Sequence, residues 1–203
     1  MAKFEKANSV GEWLEQRLNI KAINKVMMTE YWIPKDINFL WAMGVLLATT
    51  FTILVISGLF LMMYYKPDIN LAFDSVNYTI MQEVAFGWLF RHIHGVAASV
   101  IFLIIYIHML TGIYYGSYKQ GREMIWISGM LLFVTFSAAG FSGYMLPWGQ
   151  MSYWAAMVIT NLFGGVPVIG DALVVWIRGD FNVADATLTR FFMLHVFLLP
   201  IAI

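Results

Sequence analysis

The chain has no cysteine in its 203 residues. This excludes disulfides, thiolate-held iron–sulfur clusters, cysteine-type zinc sites and haem attached through a CxxCH motif. Charge is scarce too. Only 12% of residues are charged, and 12 Lys+Arg balance 12 Asp+Glu, which argues neither for nucleic acid nor for an acidic partner. What is abundant is apolar side chain, 61% of the residues with a mean hydropathy of +0.73. That is too much apolar surface for one soluble core, so the bilayer is the expected solvent.

Four apolar blocks stand out. FLWAMGVLLATTFTILVISGLFLMMYY, from Phe39 to Tyr65, carries no charge over more than the roughly 20 residues needed to cross a hydrocarbon core. It is expected to form helix A. Helix B is expected from about Val84 to Tyr118, interrupted only by Arg91 and histidines, and helix C from Met124 to Leu146, closing at Pro147. Helix D begins near Thr187 and is still apolar at Ile203, too short at that point for a comfortable span, so it is expected to continue past Ile203. The fold class is therefore all-α, a polytopic transmembrane four-helix bundle.

Orientation follows from Lys and Arg. Lys3, Lys6, Arg17, Lys21, Lys25 and Lys35 precede helix A, and Lys119 and Arg122 lie in the B–C turn, so eight of the twelve basic residues fall on one side. That side is expected to be cytoplasmic, with the N-terminus inside. SVGEWLEQRLNIKAINKVMM lacks the apolar core and small-residue cleavage site of a signal peptide, while Val10, Trp13, Leu14 and Leu18 recur at helical spacing. Residues 1–36 thus read as an amphipathic surface segment and 37–203 as the membrane bundle. The C–D connection, Trp148 to Ala186, is apolar with Gly and Pro breaks, as expected of short helices folded at the outer interface.

Histidines inside such helices need a reason. His94 and His108 are 14 residues apart on helix B, about 40° from alignment and roughly 21 Å apart along the axis, so they share one face at two depths. His92 lies about 160° from His108 and faces away. His195 is near the start of helix D, which like helix B begins on the outer side, so His94 and His195 fall at similar depth. A lone membrane histidine often only bonds a neighbouring helix or serves a proton path. The glycines add a second pattern. Gly44 and Gly58 on helix A, and Gly129 and Gly143 on helix C, are again 14 apart. Helix contact explains any one pair but does not predict the histidine interval on other helices. Two flat macrocycles, each with axial nitrogens from helices B and D and edges pressed against A and C, satisfy both patterns.

The residues RHIHG, the spaced His108, YYGSY, GYMLPWGQMSYW, VITNL and ATLTRFFMLH resemble the N-terminal half of cytochrome b of the cytochrome bc complexes, in that family's order. The resemblance implies two non-covalent b haems, quinol oxidation near the outer face and quinone reduction near the inner one. It also implies a Rieske iron–sulfur protein and a c-type cytochrome as partners, a dimer of complexes, and a bacterial-type inner membrane or equivalent energy-transducing membrane. By the same resemblance His94 and His195 would ligate the low-potential outer haem. His108 would be one ligand of the high-potential inner haem, whose second ligand would lie beyond Ile203. Arg91 would face an outer-haem propionate, and Ser117 and Trp126 the inner propionates. Thr111 stands where family members commonly carry arginine, which would leave Lys119 or Arg122 to meet a propionate there. The quinol pocket would be walled by Tyr144, Ala155, Ala156, Val158 and Ile159.

The implied activity is that of a quinol–cytochrome c oxidoreductase subunit, with chemistry done by haem and quinone and no catalytic side chain on this chain. Two other classes remain: a di-haem b-type anchor of another quinone-linked dehydrogenase, against which GYMLPWGQ and the histidine order argue, and a non-redox membrane protein with protonatable histidines.

Overall fold

The computed structural model describes residues 9–18, 21, 24–25, 30, 38–119 and 122–203. Most of the N-terminal surface segment, including Lys3, Lys6 and Lys35, lies outside the described residues. The chain divides into two units, Met1–Trp41 and Ala42–Ile203.

In the first unit α1 spans Val10–Leu18. Its start is encoded by Ser9-x-x-Glu12: the Ser9 hydroxyl accepts the Glu12 N–H at 3.1 Å, capping a donor that the helix leaves unpaired. Val10 and Trp13 present their apolar side chains outward.

The second unit holds α2 (Met43–Met62), α3 (Gly87–Tyr114) and α4 (Glu123–Met145), then α5 (Gln150–Leu162), α6 (Gly170–Arg178) and α7 (Asp185–Met193). A π turn, Leu194–Leu198, joins α7 to α8 (Leu199–Ala202). Four helical stretches are long and apolar enough to cross a membrane: Phe39–Met62, Gly87–Tyr114, Glu123–Met145 and Asp185–Ala202. They correspond to helices A to D, and no strand occurs among the described residues. Hydroxyls on α2 return to their own helix, as Thr49 does to the Val45 carbonyl at 2.9 Å and Thr50 to Leu46 at 2.8 Å, so no polar group there requires water.

Helix α2 packs along α3, while α4 packs against α7, the π turn and α8. The connections are ordered helices. After α2 the chain makes a helical turn, Ala72–Asp74, and a π-helix, Ser75–Glu83, which lies against α3; sequence periodicity gave no sign of the π-helix. Phe86 takes a left-handed φ of 59°, and a Cβ on Gly87 would run into the Ile80 carbonyl, so glycine is what lets α3 start there. The C–D connection forms α5 and α6, as its composition suggests. Met145, Ala156, Val183 and Phe191 make a buried cluster joining α4, α5 and α7, with Tyr153 and Ile177 against it.

Candidate cofactor site between two histidines

All four membrane helices contribute to one cavity, whose lining includes Gly58 of α2, Arg91 and His94 of α3, Gly143 of α4 and His195 of the π turn. The His94 and His195 rings face each other across 6.2 Å between centroids, at 79° between planes. An iron–nitrogen bond is about 2 Å, so two imidazoles on opposite sides of one metal have centroids roughly 6 Å apart. The pair therefore fits bis-histidine ligation.

The hydrogen bonds fix the tautomers. His195 Nδ1 lies 2.9 Å from the Ala139 carbonyl, which can only accept, so Nδ1 carries the proton. Ser57 Oγ lies 3.0 Å from His94 Nδ1 and itself donates to the Ile53 carbonyl at 2.7 Å, so the serine oxygen accepts from the ring. With Nδ1 donating, the neutral form of each imidazole carries its lone pair on Nε2, the arrangement that second-shell partners impose on metal-binding histidines. Ser142 approaches His195 Nδ1 at 3.4 Å, giving the second ring the counterpart of Ser57. The π turn around His195 also has a local cause. Pro200 has no N–H to offer the preceding turn, and the Leu199 N–H reaches back five residues to Leu194.

The outer glycines have a nearer neighbour than any cofactor edge. A Cβ on Gly58 would lie 3.1 Å from His94 Cε1, and one on Gly143 would overlap His195 Cε1 and come within 2.9 Å of its Nδ1. The expectation that these glycines clear a macrocycle therefore gains a prior requirement: they clear the imidazoles themselves. Each follows a serine, Ser57-Gly58 and Ser142-Gly143, so one residue orients a ring and the next makes room for it. The repeated Ser-Gly in ISGLF and FSGYM is the signal that would have found Ser57 and Ser142 from sequence.

The other expected residues are placed as follows. At the inner level a Cβ on Gly44 or Gly129 would meet nothing within 4 Å. His108 is exposed, and no other described histidine ring stands against it. Trp126 is half-buried, tilted against Tyr118 at 5.6 Å, with its Cζ3 at 3.2 Å from where a Gly112 Cβ would stand. Ser117 is exposed, and its N–H bonds the Gly112 carbonyl at 2.9 Å. The Thr111 hydroxyl donates to the His108 carbonyl at 2.8 Å. Arg91 lines the histidine cavity and also borders a groove with His92, Asn77 and Pro147. His92 turns away, exposed, with Nδ1 held by the Trp88 carbonyl at 2.7 Å.

The five expected wall residues separate. Ala155 and Ile159 are half-buried, Val158 and Tyr144 exposed. Ala156 is instead fully buried in the cluster with Met145, Val183 and Phe191. It shares the inward face of α5 with Ser152 and Thr160, at the four-residue spacing of a helix, so it packs the core and does not border open space.

A family model described as Cytochrome b/b6/petB matches residues 28–203. The chain belongs to the cytochrome b family. It is 48% identical over 188 residues to a cytochrome b of Allochromatium vinosum, covering 93% of this chain and 45% of that one. It is 47% identical over 199 residues to a cytochrome b of Rickettsia conorii, covering 98% and 49%. A solved structure titled "Hyperthermophilic respiratory Complex III" aligns with a TM-score of 0.81 at 41% identity, over 95% of this chain and 51% of that one. The chain spans about half the length of the curated relatives it matches.

In this cytochrome b family chain Tyr65 ties the cavity to the turn that starts α5. Its hydroxyl donates to the Leu146 carbonyl at 2.7 Å, and its ring lies 5.3 Å from Phe192. The next residue, Pro147, is followed by Trp148 at φ 52° before α5 begins. Tyr65→Phe leaves a partly buried carbonyl without this partner, at about 1–3 kcal/mol. A lower thermal transition of the intact complex with haem content retained is the expected result, and an unchanged transition would remove this bond from the account.

Proposed function

We propose that this chain is the haem-binding half of a cytochrome b that moves electrons across an energy-transducing membrane, from quinol oxidised near the outer face to quinone reduced near the inner one. The observation that carries the reading is the His94–His195 pair, 6.2 Å between centroids with both Nδ1 atoms in hydrogen bonds. Bound haem supplies a one-electron carrier at each level. The rest is the work of the chain. Ser57 and the Ala139 carbonyl keep the protons on Nδ1 and leave Nε2 for iron; Gly58 and Gly143 leave room for the rings. Arg91 at the cavity edge offers a cation to an acidic substituent of the ring system. At the inner level His108 would hold the second haem, with Gly44 and Gly129 leaving room for it and Ser117 and Trp126 placed to meet its propionates.

The outer face of α5, Ala155, Val158 and Ile159, forms with Tyr144 one wall of the quinol-oxidation pocket. A Rieske iron–sulfur protein and a c-type cytochrome accept the other electron, in a dimer of complexes. Passing charge inward against the membrane potential stores roughly 2.3 kcal/mol per 100 mV.

A redox-titrated difference spectrum of the purified complex, with quinol–cytochrome c turnover measured on the same sample, tests the reading. Two b-type centres and quinol-dependent turnover are expected, and a complex without haem absorbance would end the proposal.

Residue 155 adds a finer expectation. The family resemblance implies glycine where this chain has Ala155, and a methyl in a packed wall disfavours a rigid flat ligand by on the order of 1–3 kcal/mol, roughly ten- to a hundredfold in affinity. The complex is expected to be weakly sensitive to strobilurin-type inhibitors, and Ala155→Gly to sensitise it with little loss of turnover. Equal inhibition constants for the two forms would place the methyl outside the pocket.

A further inference from the structure

Arg178, the last residue of α6, is 5% exposed, and none of the described carboxylates pairs with it. Its guanidinium is spent on neutral acceptors. Nε donates to Thr160 Oγ1 at 2.9 Å, and Nη1 to the Phe181 carbonyl at 3.2 Å. Nη2 reaches Asn161 Oδ1 at 2.8 Å and the Met157 carbonyl at 3.5 Å. Thr160 is free to accept because its own proton goes to the Ala156 carbonyl at 2.7 Å.

A buried cation without a counter-ion is ordinarily disfavoured. Here the negative charge comes from the backbone. Met157, Thr160 and Asn161 belong to the last turns of α5, so that helix's C-terminus, equivalent to about half a negative charge, lies against the guanidinium, and the Phe181 carbonyl adds a further backbone acceptor. The planar fork of arginine can hold the Thr160, Asn161 and Phe181 acceptors at once, which a lysine ammonium on a single point cannot.

The same residue grips α7 from its other end. The Arg178 carbonyl accepts the Thr187 hydroxyl at 2.9 Å, and Thr187 Oγ1 in turn accepts the Ala184 N–H at 3.1 Å, capping the helix that leads into the π turn with His195. Thr187 and Thr160 are both fully buried. Gly179, at φ 78°, turns the chain immediately after the arginine, and a Cβ there would press on the Arg190 guanidinium. One residue therefore joins the helix bearing Ala155, Val158 and Ile159 to the helix leading to His195.

We propose that Arg178 is a positioning residue for quinol oxidation, fixing the α5 wall of the pocket relative to the His195 helix. This rests on the quinol reading above. A residue that only supported folding would change the amount of assembled complex and leave the affinity of what assembles unchanged. A positioning residue changes KM for quinol in complexes with full haem, because small misplacements of a binding wall are felt strongly.

The test uses the intact complex carrying Arg178→Met, Arg178→Lys or Asn161→Ala, with haem content, both haem spectra, kcat and KM for a soluble quinol analogue measured together. The methionine variant is expected to raise KM about tenfold with kcat within about twofold and haem unchanged. The lysine variant, which keeps the charge and loses the span, should fall between it and wild type. Should Arg178→Met fail to assemble, Asn161→Ala, which removes one acceptor and no charge, decides on the same readout. Wild-type KM in haem-replete variants, or a loss of turnover that only follows haem content, overturns the proposal. A wild-type complex that binds two haems yet does not oxidise quinol would overturn the quinol reading, and the role of Arg178 with it.

Discussion

In the intact complex, His94→Ala and His195→Ala are each expected to remove one b-type haem, leaving about half of the b absorbance, while His92→Ala keeps both. The first two rings are the only histidine pair in contact among the described residues, at 6.2 Å, and each has its Nδ1 committed to the protein. Removing either takes away a nitrogen that no neighbour can replace, since Ser57 and Ser142 address the far side of the rings. His92 sits two residues from His94 but is exposed and bonded to its own helix through the Trp88 carbonyl. His108→Ala is expected to remove the other haem and spare the first, because His108 does not line the cavity that His94 and His195 share. Haem per complex and the difference spectrum decide this. A normal two-haem spectrum in the His94 or His195 variant would sink the ligand assignment.

The helices and the meeting of His94 with His195 were legible in the sequence because both rest on simple periodicities. Long apolar blocks set the spans, and the shared starting side of helices B and D set a common depth. The partners of the rings were not legible. Ser57 in an apolar helix looks no different from Thr49 or Thr50, whose hydroxyls merely return to their own carbonyls, and only packing shows that Ser57 also accepts from an imidazole. Ala155 and Ala156 were read together, yet α5 turns Ala156 inward with Ser152 and Thr160 and leaves Val158 outside. A soluble helix would show the opposite polarity. At this interface the small and hydroxyl-bearing residues face the protein and the large apolar ones face away, so hydrophobicity misassigns the face. Arg178 escaped notice for a related reason: its counter-charge is backbone, which sequence does not display.

The glycines separate protein from cofactor as the cause of a defect, and the outer pair gives the larger effect. Gly143→Val is expected to displace the outer haem, because even its Cβ would overlap the His195 ring and the ring is held from behind by the Ala139 carbonyl at 2.9 Å. The ring can yield only by giving up that bond or by moving toward the metal position. Overpacking of this kind costs on the order of 1–3 kcal/mol, roughly ten- to a hundredfold in affinity for whatever the ring ligates. Gly58→Ala should be milder, since its Cβ would stand 3.1 Å from His94 Cε1, where a shift of a few tenths of an ångström relieves the contact. The order Gly143→Val, then Gly143→Ala, then Gly58→Ala is therefore expected in loss of outer haem. The inner pair behaves differently. Nothing lies within 4 Å of a Cβ on Gly44 or Gly129, so helix contact within this chain does not require glycine at either position. A Gly129→Val complex that loses only the inner haem would thus report an occupant pressed against that surface, as the proposed haem on His108 requires. Retention of both haems at their wild-type potentials in Gly129→Val and Gly143→Val alike would refute the cradle at both levels.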